Sequence, residues 1–149
     1  MPKDTLGFGL VGCGLISAFH GKAIQATPGA QLIAASDPQQ DRLAKFCSEY
    51  GCAAAPSFQA LLDDPRIDVI NVLTPNAMHA QFAIPAMQAG KHVVIEKPPD
   101  MTLEKVDAMI AARDAAGVQC AISLQVRFRK PIQAMYQAIQ QGRFGRLYY

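Results

Sequence analysis

No stretch of this 149-residue chain approaches the roughly 18 consecutive apolar residues that a membrane-spanning helix needs. The opening Met1-Pro2-Lys3-Asp4 lacks the apolar core of a secretory signal, so a cytoplasmic protein with no membrane partner is expected. Charge is also scarce. Only 17% of residues are charged, the net charge is +2, and no basic run or aromatic-interleaved basic patch occurs, which argues against a nucleic-acid partner. Internal repeats and low-complexity segments are absent. The four cysteines (Cys13, Cys47, Cys52 and Cys120) show no CxxC spacing, and only three histidines accompany them. No metal site is therefore expected, and buried reduced thiols are the natural reading.

What remains is one domain's worth of chain in which half the residues are hydrophobic, enough to bury a sizeable core and too apolar for disorder. Apolar runs alternate with helical patterns. Strands are expected at Leu6–Val11, Gln31–Ser36, Ala53–Ala55, Val69–Leu73, Val93–Ile95 and Gln119–Leu124. Helices are expected over Leu15–Ala26, Gln39–Tyr50, Phe58–Leu62, Met78–Ala89, Thr102 to Gly117 and Lys130–Gln141. Pro85 predicts a kink or late start in the fourth helix, and Leu103, Val106 and Ile110 predict one packed face on the fifth. Strands separated by helices imply right-handed crossovers, hence an α/β fold of the Rossmann type with a doubly wound parallel sheet. The expected division is a first domain over residues 1–125 and the start of a second over 126–149. Arg146–Tyr149 reads as a strand just opening, so the chain is expected to be cut at the start of a second α/β domain.

Four segments carry polar groups to predicted strand ends. The first turn, Gly12-Cys13-Gly14-Leu15-Ile16-Ser17, offers two glycines for a tight turn and close approach of a pyrophosphate, which the next helix's N-terminal amides would hold. Ser17 stands where the fingerprint's third glycine would be, so the match is incomplete. Asp37 lies twenty positions beyond Ser17, where a carboxylate accepts both ribose hydroxyls and repels a 2′-phosphate. It could equally cap the helix begun by Pro38. NAD is favoured, with NADP kept open by Arg42. Thr74-Pro75-Asn76 forms the fourth strand's turn, where Asn76 could bond the cofactor and His79 could face its nicotinamide end; a plain capped turn explains them as well. His20 reads as structural. Finally, Glu96 and Lys97 end the fifth strand, where Pro98-Pro99 stops the backbone. Most lysines after a strand are merely solvated; four polar strand ends along one sheet edge shift that balance toward a cofactor cleft.

On the glycine turn, Ser36-Asp37, Thr74-Pro75-Asn76-Ala77-Met78-His79 and above all Ala89-Gly90-Lys91-His92-Val93-Val94-Ile95-Glu96-Lys97-Pro98, the chain resembles the Gfo/Idh/MocA oxidoreductases. Arg127-Phe128 and Gly142-Arg143-Phe144-Gly145 resemble that family's passage into its second domain. The resemblance implies NAD(P)-dependent hydride transfer on a hydroxyl of a sugar, cyclitol or nucleotide-linked sugar. Lys97 would act near that hydroxyl, with Glu96 orienting it and contacting cofactor. It further implies that the full-length protein is a homo-oligomer, that this part alone is inactive, and that apolar surface meant for the second domain lies exposed. A dinucleotide sensor or carrier without chemistry is the alternative; a methyltransferase-like domain finds no support in the Glu96-Lys97-Pro98-Pro99 stop.

Overall fold

The computed structural model describes residues 5–148. Six strands, β1 (Leu6–Val11), β2 (Ala30–Ser36), β3 (Ala53–Ala54), β4 (Val69–Val72), β5 (His92–Glu96) and β6 (Cys120–Ser123), form one sheet in the order β3-β2-β1-β4-β5-β6. Every neighbouring pair is parallel. The connecting helices are α1 (Ser17–Ala26), α2 (Gln40–Tyr50), α3 (Phe58–Asp63), α4 (His79–Gln88) and α5 (Leu103–Ala116), and α6 (Lys130–Gln140) follows the last strand. This is the doubly wound order, with its reversal between β1 and β4.

The sheet is covered on both faces, which is why all four residues of β4 are buried and apolar or amide in character. Leu10, Ile24, Leu32, Leu43 and Phe46 fill one side, beneath α1 and α2; Leu61, Ile70, Val72, Met87 and Ile95 fill the other. Gly21 lets α1 approach α2, since a Cβ there would lie 2.7 Å from the Tyr50 ring. Gly51 and Gly117 close α2 and α5 in the left-handed conformation, and the Ser57 and Thr102 side chains cap α3 and α5.

Several expectations need correction. Helix α1 begins at Ser17 rather than Leu15, because Leu15 and Ile16 belong to the glycine turn. The fourth helix opens with a 3₁₀ turn, Asn76–Met78, then runs through Pro85. On α5 the expected face holds only at Val106, which packs against the core; Leu103 and Ile110 are exposed and Met109 is the buried residue. Residues 146–148 form no strand, and Tyr149 lies outside the described residues. Only Ala138 of α6 is buried, leaving Phe128, Met135 and Tyr136 as exposed apolar surface.

Candidate functional site

Parallel strands send all their carboxyl ends to one edge, and the crevice at such an edge opens where the strand order reverses. Val11, Val72 and Ile95 share one register row across β1, β4 and β5. With neighbouring strands about 4.8 Å apart, the backbone at Gly12 and that entering Lys97 leave the sheet roughly 10 Å from each other. The glycine turn, Asp37 after β2, Thr74–Asn76 after β4 and Glu96-Lys97 at β5 therefore share an edge.

The two glycines of the turn serve different ends. Gly12 has φ +96°, and a Cβ on it would lie 2.8 Å from both the carbon and the oxygen of the Leu73 carbonyl. The turn is thus pressed against the end of β4, and only glycine fits. Around Gly14 nothing lies within 4 Å of such a Cβ, so the space above it is open. The Ser17 hydroxyl donates to the Gly14 carbonyl at 2.6 Å and is buried, tying the start of α1 to the turn in place of a third glycine.

Asp37 does not cap α2. Its Oδ2 accepts from Cys13 N at 2.7 Å, and its Oδ1 accepts from Gln39 N at 2.7 Å in a local turn. A carboxylate has about four acceptor positions, so these bonds fix its orientation and leave capacity for a ligand's hydroxyls. A cleft of about 780 Å³ runs from Asp37 and Arg42 past Gly12 and Gly14 to Thr74 and Met78. The Thr74 hydroxyl is buried without a hydrogen-bond partner, an acceptor and donor still to be satisfied. The open space above Gly14, the anchored Asp37 carboxylate and this orphaned hydroxyl together fit a dinucleotide. Pro75 and Asn76 are exposed, and Leu15 is 91% exposed.

His79 is elsewhere than expected. It is fully buried, with Nδ1 2.8 Å from the Pro98 carbonyl and Nε2 2.9 Å from the Thr74 carbonyl. The ring braces the turns after β4 and β5 from within and does not line the cleft. A neutral imidazole donates to only one of these two oxygens.

At β5 the geometry reveals a residue whose role the sequence did not disclose. His20 Nε2 lies 3.1 Å from Glu96 Oε1, and His20 Nδ1 lies 2.9 Å from Asn71 Nδ2. An Nε2–H tautomer satisfies both, donating to the carboxylate and accepting from the amide. Burial alone would raise the Glu96 carboxyl, but the bonds from His20, Lys97 N and Ser123 outweigh it and hold the group below its ordinary value. Glu96 is thus a buried, ionised carboxylate braced from α1, and it receives the Lys97 amide at 3.1 Å. Lys97 itself is exposed at the strand end.

The same segment supplies a second buried carboxylate. Asp100 accepts from Ala80 N at 2.9 Å, holding the first turn of α4, and from Met101 N at 2.7 Å, with Lys105 Nζ at 3.3 Å. Burial opposes the charge, yet these bonds win and lower its pKa. Such a depressed carboxyl stabilises the fold fully above the unfolded value of about 4 and loses that contribution as pH falls through the folded pKa. Urea melts should therefore show stability dropping below about pH 4, with a shallower drop in Asp100→Asn. An unchanged acid limb in the variant would contradict this assignment.

A parallel sheet wound 3-2-1-4-5-6 with a glycine turn, an anchored carboxylate and an open cleft at its switch point defines a dinucleotide-binding Rossmann domain. The model of the Gfo/Idh/MocA family, described as "Oxidoreductase family, NAD-binding Rossmann fold", matches residues 6–124, and the chain belongs to this family. It is 36% identical over 125 residues to the 1,5-anhydro-D-fructose reductase of Ensifer adhaerens, covering 83% of this chain and 37% of that protein. It is 30% identical over 139 residues to the myo-inositol 2-dehydrogenase of Thermotoga maritima, covering 93% and 42%. Among solved structures, the WlbA dehydrogenase of Bordetella pertussis, crystallised with NADH and UDP-GlcNAcA, superposes with a TM-score of 0.91 at 36% identity, covering 99% of this chain and 43% of that one. The chain spans about two fifths of the length of each of these relatives.

Proposed function

We propose that this chain is the NAD-binding part of an oxidoreductase that transfers a hydride between a nicotinamide cofactor and a hydroxyl of a sugar, cyclitol or nucleotide-sugar-like substrate. The observation that carries the reading is the single sheet edge shared by the Gly12–Gly14 turn, Asp37 and Glu96-Lys97. The Gly12, Cys13, Gly14, Leu15 and Ile16 backbone would cradle the pyrophosphate, with Gly14 admitting it at close range. Asp37 would accept the adenosine ribose hydroxyls, and its charge favours NAD over NADP. Thr74, Pro75 and Asn76 would line the passage toward the nicotinamide end, and Glu96 would hold that end's ribose or the lysine backbone. Lys97 would exchange the proton of the reacting hydroxyl. A bound nicotinamide supplies the hydride acceptor, while the protein contributes position and charge.

One feature of the relatives and one of this chain extend the reading. Their greater length and the exposed Phe128, Met135 and Tyr136 support residues 126–149 as the opening of a substrate domain, and a homo-oligomeric full-length enzyme. Four free thiols fit the reducing cytoplasm, and no helix among the described residues is long and apolar enough to cross a membrane.

The test is direct. NAD at about one hundred times its Kd contributes about 2.7 kcal/mol, which raises the Tm of a domain this size by about 5–10 °C. NADP is expected to shift it less. An unchanged Tm with either dinucleotide at millimolar concentration would overturn the proposal.

A further inference from the structure

Cys47 and Cys52 are five positions apart, a spacing that does not by itself suggest a pair. The end of α2 brings them together. Gly51 turns the chain into the left-handed region at φ +66°, and Cys52 N donates to the Cys47 carbonyl at 3.2 Å. The result places the two sulfurs 3.5 Å apart, with the Cys52 thiol donating to Cys47 Sγ. Both residues are half-buried, against the apolar cluster beneath α1 and α2. Closing a disulfide needs an approach of about 1.5 Å, within the reach of side-chain rotation.

We propose that Cys47 and Cys52 form an oxidisable dithiol that a hydroperoxide converts to an intramolecular disulfide. The Cys47 sulfur attacks the peroxide, the O–O bond breaks, the Cys47 proton passes to the departing oxygen, and Cys47 becomes a sulfenic acid as water or alcohol leaves. Cys52 then attacks that sulfur, the S–O bond breaks, and a second water leaves with the Cys52 proton. Two thiols are oxidised and one peroxide is reduced. The roles follow from the hydrogen bond: the Cys52 thiol donates to Cys47 Sγ, which leaves Cys47 as the acceptor sulfur that reacts first; burial and that bond raise the pKa of the Cys52 thiol. Cys13, in the same apolar cluster, is a spectator, since burial and the neighbouring Asp37 charge push it up to about 12 as well. Cys120 lies away from this cluster, on β6.

The experiment treats the full chain with hydrogen peroxide and maps tryptic peptides without reduction. Residues 46–66 fall in one peptide. That peptide is expected to lose two hydrogens, to become inert to iodoacetamide, and to recover on treatment with dithiothreitol. Cys52→Ser should leave a Cys47 sulfenic acid that dimedone captures, and Cys47→Ser should give no adduct at Cys52. Continued alkylation of both thiols after peroxide, a disulfide to Cys13 or Cys120, or dimedone capture at Cys52 would overturn the proposal. None of these outcomes depends on whether NAD binds.

Discussion

Gly12→Ala is expected to lower the unfolding free energy by about 3 kcal/mol, whereas Gly14→Ala leaves unfolding unchanged and weakens NAD binding about tenfold or more. The two residues sit in one turn, but their surroundings are opposite. At Gly12 a side chain meets two penalties. An L-residue held at φ +96° pays about 1–2 kcal/mol, and a Cβ 2.8 Å from the Leu73 carbonyl forces backbone displacement worth about 1–3 kcal/mol more. The neighbour cannot swing aside, because Leu73 N is bonded to the Val11 carbonyl at 2.9 Å. Against a total stability of about 5–15 kcal/mol, such a loss is plain in a urea melt. Gly14 has an unfilled space above it, so its methyl group costs the free protein nothing and obstructs only what enters the cleft. Equal stabilities for wild type and Gly12→Ala, or equal NAD affinities for wild type and Gly14→Ala, would each contradict the division of labour described for this turn.

That division also shows which parts of the molecule could be read from the sequence. The succession of strands and helices was legible because local signals repeat: an apolar run, a turn residue, a helix, again and again. The candidate edge was legible because its residues sit immediately after strands, where chain position and spatial position coincide. Pairings across long sequence separations were not. His20 meets Glu96 over 76 positions and Asp100 caps α4 over 20, and nothing local in either segment announces a partner. His79 was misplaced for a related reason. A histidine just after a strand-end turn can point to either side of that turn, and carbonyl oxygens at Thr74 and Pro98 draw it inward. Leu103 and Ile110 differ for another reason: the packed side of α5 runs through Val106, Met109 and Ala112, turned away from the face on which they lie.

The stretch Ala89 to Pro98, the strongest carrier of the family resemblance, shows how structural and chemical demands overlap in one segment. Gly90 takes φ +77° to end α4. Lys91 then reaches back to the carbonyls of Asp64 at 3.0 Å and Ile67 at 2.7 Å, fixing the loop that leads into β4. Val93 and Ile95 fill the core, and Glu96 is braced by His20. The strand before Lys97 is thus held by burial and by bonds, and the lysine side chain is left facing solvent at the rim of the sheet. A side chain delivered by so rigid a strand to an open edge is suited to meet a substrate, because its base cannot drift.

The expected consequence is a kcat for Lys97→Ala, in the full-length enzyme, lower by about 10²–10⁴, the usual worth of a positioned proton-transfer group. NAD affinity should change by no more than about tenfold, one exposed contact's worth, since the cleft between Asp37 and Thr74 is built without this side chain. Lys97→Arg should not restore turnover: a guanidinium keeps the charge but does not give up its proton in a protein. Full recovery by arginine would reduce the lysine to an electrostatic post. Undiminished kcat in Lys97→Ala, measured on any sugar or cyclitol hydroxyl the wild type oxidises, would remove the lysine from the chemistry. A protein that merely senses the dinucleotide would keep its output in all three forms, so the same set of variants separates a catalyst from a carrier.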